Sequence, residues 1–248
     1  MYGRERALEL RERYPHASEI MALYVALTRV WESAPPRAPL EWAGKNLLPR
    51  VMSATVTSGP PPLAEAMRTA EPGDGPGLLA AWLADEELTP VERYLARATM
   101  RVVPLEPGKG GAAGRCPECG GPPQVSFRQA SDDPLVSARR MLACAKCPHE
   151  WNFSATTCPA CGESAKRTVH AEPAAGPARV GRKAPGEASV FPHLRAESCE
   201  SCHRYLIDVD LGRDPRAVPQ VDELAAVPID LHLADQGYTK ITPNLMGF

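Results

Sequence analysis

The eight cysteines of the chain all lie between Cys116 and Cys202, as four Cys-x-x-Cys pairs: Cys116/Cys119, Cys144/Cys147, Cys158/Cys161 and Cys199/Cys202. A Cys-x-x-Cys turn puts two sulfurs on one side of a tight loop, where both reach one ion. Two such turns supply the four thiolates of a tetrahedral metal site. Four turns therefore supply two complete sites, with no cysteine left over.

The pairs are of two kinds. Cys116-Pro117-Glu118-Cys119-Gly120 and Cys158-Pro159-Ala160-Cys161-Gly162 share the form Cys-Pro-x-Cys-Gly. Proline presets φ for the turn, and glycine accepts the positive φ that follows the second cysteine. The pairs at Cys144 and Cys199 lack both residues. The alternation reads as an internal repeat of two tandem knuckle–hairpin–knuckle units. One site would hold Cys116, Cys119, Cys144 and Cys147; the other would hold Cys158, Cys161, Cys199 and Cys202. A crossed pairing is the other arrangement that the spacing allows.

Two other uses of cysteine fit less well. The N-terminal Met1-Tyr2-Gly3-Arg4-Glu5-Arg6 is not followed by an apolar run, so it does not read as a secretory signal. The expected location is cytoplasmic, where stable disulfides are disfavoured. A thioredoxin-like site needs a Cys-x-x-Cys opening a helix after a buried strand, and none of the four pairs has that setting.

The elements that must carry these turns are read from the rest of the chain. The 27 prolines in 248 residues exceed the usual share of about 5% and predict many breaks. No run approaches the roughly 20 apolar residues of a membrane span. Residues 4–13 alternate charges and read as a short exposed helix. Ile20, Leu23, Tyr24, Leu27, Val30 and Trp31 then form an apolar stripe at helical spacing. Helical segments follow near 47–57, 63–70 and 78–83. Thr89-Pro90-Val91-Glu92 has the form of a helix start. The expected organisation is a helical domain over 1–106, a flexible linker over 107–115, a first four-cysteine ribbon over 116–157, a second over 158–211, and a helical segment over 212–248. Within the ribbons, strands are expected at 124–129, 139–144, 150–154 and 205–209, with a turn at Asp132-Asp133-Pro134. Residues 171–190 read as a mobile loop, and Trp151 and Phe153 as ribbon core. His203 is kept outside the ligand set, exposed or behind the site, because four cysteines already fill it.

Four thiolates suit zinc or iron equally on ligand type. With every ligand position filled, no corner is open for a bound water, so the metal is expected to be a staple or a one-electron centre. Charge bears on nucleic acid. From Cys116 to Arg204 there are eleven Lys/Arg and nine Asp/Glu. Each divalent ion with its four thiolates adds about −2, leaving the module slightly acidic and without the positive surplus of a phosphate-tracking surface.

These residues resemble a known family, the formate dehydrogenase accessory protein FdhE. The resemblance is carried by Cys116-Pro-Glu-Cys-Gly-Gly-Pro-Pro123, by Leu142-Ala-Cys-Ala-Lys-Cys-Pro-His-Glu-Trp151, by Cys158-Pro-Ala-Cys-Gly162, and by Ala196-Glu-Ser-Cys-Glu-Ser-Cys202 with Tyr205-Leu206. Arg13-Tyr-Pro-His16, Gln236-Gly-Tyr238 and Pro243-Asn244 are also similar to that family. The resemblance implies a non-catalytic, cytoplasmic, rubredoxin-like iron protein that contacts the catalytic subunit of formate dehydrogenase and helps to produce the active enzyme. The chain departs from the family pattern twice. Its helical part is shorter than usual, which bears on the docking surface. His203 stands where glycine often follows the last cysteine, which bears on access to the second site.

The sequence thus predicts an α+β chain: an N-terminal helical domain, two tandem rubredoxin-like or zinc-ribbon modules and a C-terminal helix. The expected cofactors are two iron ions, or zinc, on the eight cysteines. The expected partner is the formate dehydrogenase catalytic subunit, with no nucleic acid and no membrane span. A rubredoxin-like electron carrier and a zinc-ribbon nucleic-acid binder are the alternatives.

Overall fold

The computed structural model describes residues 3–70, 73–105, 113–129, 139–170 and 190–247. The expected turn at Asp132-Asp133-Pro134, most of the 107–115 linker and all but the last residue of the 171–190 loop lie outside the described residues. The chain forms two compact units, Met1–Gly108 with Pro243–Phe248, and Lys109–Thr242.

The first unit is helical. Helix α1 spans Arg4–Arg13, and α2 spans Ser18–Glu32 after a 3-10 turn at Pro15–Ala17. The charged α1 is not fully exposed as the sequence suggested: Arg6, Ala7 and Leu10 form a buried stripe, because Ala7 and Leu10 fall on one face three residues apart. On α2 the apolar stripe is buried except for the half-buried Val30. Trp31 satisfies its indole by donating to the Ala98 carbonyl at 2.7 Å. Helix α3 (Leu40–Trp42) runs through a π turn at Ala43–Leu47 into α4 (Leu48–Ser58). Pro49 explains the widened turn, since it has no N–H to give and its ring crowds the preceding turn. Gly44 lies in that turn, where an added Cβ would stand 2.5 Å from the Pro76 nitrogen. Helices α5 (Pro61–Thr69), α6 (Gly75–Leu83) and α7 (Pro90–Met100) follow. At the start of α7 the Thr89 hydroxyl accepts from the Glu92 N–H, and the Glu92 carboxylate accepts from the Thr89 N–H, forming a complete capping box. The C-terminal segment joins this unit, with Arg97 donating to the carbonyls of Pro243 and Asn244.

The second unit is built on one mixed sheet. Its strands are β1 (Pro123–Arg128), β2 (Arg140–Cys144), β3 (Glu150–Asn152), β4 (Arg167–His170), β5 (Leu194–Cys199), β6 (Arg204–Asp210) and β7 (Thr239–Lys240). The order is β3-β2-β1-β6-β5-β4, with β7 also on β6. Each cysteine unit contributes an antiparallel three-stranded ribbon, β3-β2-β1 and β6-β5-β4. The ribbons are joined by parallel pairing of β1 with β6, which removes an unpaired edge from each. The tandem repeat is therefore a sideways shift within one sheet, not two separate beads.

A short helical layer, α8 (Pro219–Asp222), a 3-10 turn at Glu223–Ala225 and α9 (Val227–Asp235), packs on one sheet face. A buried polar network ties it down. Lys240 Nζ lies 2.8 Å from Glu223 and 3.1 Å from Asp230. Gln124 donates to both Glu223 oxygens, and the Tyr205 hydroxyl donates to Asp230 at 2.8 Å. Burial pushes both carboxyls above their usual range, with Lys240 opposing it. An acid whose folded pKa is raised binds its proton more tightly when folded. Its contribution is fully present below the unfolded value, 4.5 for Glu223, and fades as pH rises through the folded value. Glu223→Gln removes this titration, so the stability of the parent relative to this variant should fall as pH is raised from about 4 to about 8 in urea melts. A gap that stays constant with pH would contradict the assignment.

Candidate metal centres

Both cysteine groups sit at the same end of the sheet. Cys144 ends β2 and Cys199 ends β5. These two strands run in the same direction, because each is antiparallel to one member of the parallel β1–β6 pair. Three strand spacings separate them, roughly 14 Å. The remaining cysteines lie in the turns that precede β1 and β4 and that follow β2 and β5.

The structure brings Cys116, Cys119, Cys144 and Cys147 together, and separately Cys158, Cys161, Cys199 and Cys202, the sulfurs in each group all lying within 4.8 Å of one another. All eight thiols are free. Sulfur–sulfur contacts are 3.6 Å (Cys116–Cys147) and 3.5 Å (Cys119–Cys144) in the first group. They are 3.8 Å (Cys158–Cys202) and 3.7 Å (Cys161–Cys199) in the second. A tetrahedron with metal–sulfur distances of about 2.3 Å has edges of about 3.8 Å, so both quartets are of the size that holds zinc or iron.

The two Pro-type turns are built alike. The Gly120 N–H donates to the Cys116 carbonyl, and the Gly162 N–H to the Cys158 carbonyl, both at 2.9 Å. The Cys116 N–H donates to Gly121, and the Cys158 N–H to Glu163. Gly120 and Gly162 have φ of 71° and 82°, the left-handed region that glycine enters at no steric cost. His203 follows the last cysteine with φ 53° and is exposed. It therefore adopts the backbone that glycine would take there, and its ring lies 5.7 Å from that of Tyr238 between centroids. Gly121 is held small for another reason: an added Cβ would stand 3.0 Å from the Cys144 sulfur and 3.2 Å from that of Cys119.

Backbone N–H groups face the sulfurs. The Lys146 N–H lies 3.3 Å from Cys144. Burial pushes the Cys144 thiol up to about 12 and lifts Cys147 and Cys202 further, against the N–H groups beside them. Cys119 and Cys199 are held low despite burial, by the N–H groups of Gly121 and of Cys202 with Ser201, and by neighbouring thiols. Each quartet thus holds one thiol lowered by its N–H neighbours and two raised by burial, Cys144 and Cys147 in the first and Cys158 and Cys202 in the second. Four negative charges this close call for a cation.

The centres differ in exposure. Cys116, Cys144, Cys158 and Cys199 are buried, whereas Cys161 of the second quartet is exposed. Glu163 reinforces that outer side. Its carboxylate accepts from the Ser164 and Ala165 N–H groups and from the Ser201 hydroxyl, each at 2.8 Å. The two N–H groups and Ser201 hold its pKa down to about 2. Glu163 thereby joins the Cys158 turn to the Cys199 turn.

Three other histidines make contacts outside the quartets. His193 is buried against Asp222 at 2.8 Å, and His170 bonds Ser198 at 2.7 Å. His149 stacks on Trp151. Trp151 and Phe153 are half-buried and not core as the sequence suggested. They lie at the short strand β3 and just past its end, at the edge of the sheet among the described residues. Sequence reading missed a cluster of Arg128, Arg140, Arg167 and Arg195 around Glu197 and Asp208. Its signal was the recurrence of charged residues at alternate strand positions.

Residues 182–246 match the family model for FdhE, C-terminal domain. The chain resembles the FdhE family. A stretch of 133 residues, 54% of the chain, is 29% identical to the protein FdhE homolog of Aquifex aeolicus, and 132 residues, 53% of the chain, are 34% identical to that of Pseudomonas aeruginosa. The matched stretches span 41% and 38% of those relatives. The crystal structure of the FdhE protein from Pseudomonas aeruginosa shares the fold, with a TM-score of 0.66 and 23% identity over 99% of this chain and 95% of that one. No helix among the described residues of this FdhE-like chain is long and apolar enough to cross a membrane.

Cys116→Ser and Cys158→Ser should each lower the metal content by one ion per chain and loosen their own ribbon most. Unchanged metal content in both variants would overturn the grouping. Glu163→Ala should speed chelator release from the second centre and leave the first as it was. Equal acceleration at both would contradict the local role of Glu163.

Proposed function

We propose that the protein is a non-catalytic maturation factor for formate dehydrogenase, acting in the cytoplasm on the catalytic subunit. Each of its two cysteine quartets would hold one iron or zinc ion. The observation that carries this reading is the pair of complete four-sulfur groups on a fold shared with FdhE. A quartet that spends four thiolates on one ion leaves no position for a substrate or a hydrolytic water, which favours a docking or carrier role over turnover. Iron in such a centre would supply one-electron chemistry, and zinc would supply rigidity alone. The chain's own residues do the same in both cases. They crowd four thiols at each ribbon end, aim N–H groups at the sulfurs, and fix the two ends on one sheet.

The direct test is retention of a formate dehydrogenase catalytic subunit by the intact, anaerobically purified protein. Specific co-purification is expected, and its absence with metal-replete protein would count against the proposal. Visible absorption that bleaches with dithionite is the outcome expected for iron. A colourless, zinc-loaded native protein would remove the electron-transfer alternative and leave docking.

A further inference from the structure

The sheet face opposite the helical layer carries an unusual concentration of charge. By register, Ser126 and Arg128 on β1, Arg140 on β2, Arg195 and Glu197 on β5, and Asp208 on β6 all point to this face. Arg167 on β4 joins them. Four guanidinium groups thus meet two carboxylates.

The floor of the cluster is closed. Glu197, Asp208 and Arg140 have side chains only 3%, 0% and 1% exposed. Asp208 takes Nε from Arg128 at 3.0 Å and from Arg195 at 2.8 Å, and the Ser126 hydroxyl at 2.6 Å. Glu197 takes Nη2 of Arg128 at 2.5 Å, Nη2 of Arg140 at 2.9 Å, and Arg167. Arg140 spends Nη1 on the carbonyls of Ser154 and Thr157, and Arg167 spends Nη1 on Ala155. The Arg140 Nε is buried with no partner among the described residues. Burial lowers the pKa of this guanidinium, with Glu197 opposing and Arg167 adding a like charge.

The rim is open. Arg128, Arg167 and Arg195 are 20%, 13% and 28% exposed. Among the described residues, Nη1 of Arg128 and of Arg195 and Nε of Arg167 are engaged by no bond. Each carboxylate already takes three of these donors, and four guanidinium groups against two carboxylates leave a surplus of two positive charges, with Arg128, Arg167 and Arg195 reaching water. Guanidinium forks match the oxygen spacing of a tetrahedral oxyanion and bind it through charge-assisted hydrogen bonds.

We propose that this cluster is a binding site for a doubly charged oxyanion of the phosphate or sulfate class, separate from the thiol quartets. A monoanion leaves one charge uncompensated, and a dianion cancels the surplus. The site stands whether or not the chain serves formate dehydrogenase.

The test is equilibrium dialysis of the full, metal-loaded chain at about pH 8, where phosphate is the dianion, with radiolabelled inorganic phosphate. One saturable site per chain is expected. Sulfate should displace the label, and acetate at the same ionic strength should not. Arg195→Gln, at the most exposed of the four, should weaken uptake by about tenfold or more. Arg68→Gln, exposed on α5 of the helical unit and paired there with Glu65, should leave it unchanged. No saturable uptake by the parent chain, displacement by acetate as good as by sulfate, or full uptake by Arg195→Gln would each overturn the proposal. The first two readouts use the parent protein, so they hold even if the variant folds poorly.

Discussion

The second unit depends on mutual repulsion among four sulfurs that the fold forces together. Each quartet draws two sulfurs from a turn before the first strand of a ribbon and two from the turn after its second strand. The ribbon must therefore close before the sulfurs meet, and once met they resist ionising together. A divalent ion would turn that repulsion into cohesion and so couple metal binding to the folding of the ribbon. The parallel pairing of β1 with β6 then extends the consequence to the whole sheet. A ribbon that loses its ion weakens a strand on which the other ribbon also relies.

Shared footing also fixes the geometry between the centres. Both lie at one end of a single sheet, with their buried cysteines at equivalent strand ends. Cys161 of the second centre is exposed, whereas Cys119 and Cys147 of the first are half-buried. The two charged networks sit on opposite faces of the same sheet. One, around Lys240, Glu223 and Asp230, fastens the helical layer. The other, around Glu197 and Asp208, carries more arginine than its carboxylates can neutralise.

Much of this was legible from residue order because the cysteine turns constrain the backbone strongly. Cys-Pro-x-Cys-Gly specifies both a turn and the left-handed glycine that follows it, and Gly120 and Gly162 adopt that conformation. The capping box at Thr89 and Glu92 was equally plain, since both halves of its bond pattern are local. The harder parts depended on contacts distant in sequence. The parallel joining of β1 to β6 leaves no local mark. The role of Glu163 arises only when Ser201 is brought beside it. The arginine cluster requires knowing which strands are neighbours, and the charge-rich α1 hides a two-residue apolar stripe that matters only against α2. Trp151 and Phe153 follow the strand alternation, but the edge position of β3 leaves them half-covered.

The account turns on two ions held by eight sulfurs. Its most direct test is elemental analysis of natively purified, oxygen-free protein, together with a count of reactive thiols before and after denaturation in chelator. The account predicts two ions of iron or zinc per chain, with all eight thiols becoming reactive only after the metal is removed. A folded, metal-free preparation whose cysteines are joined to one another would contradict it.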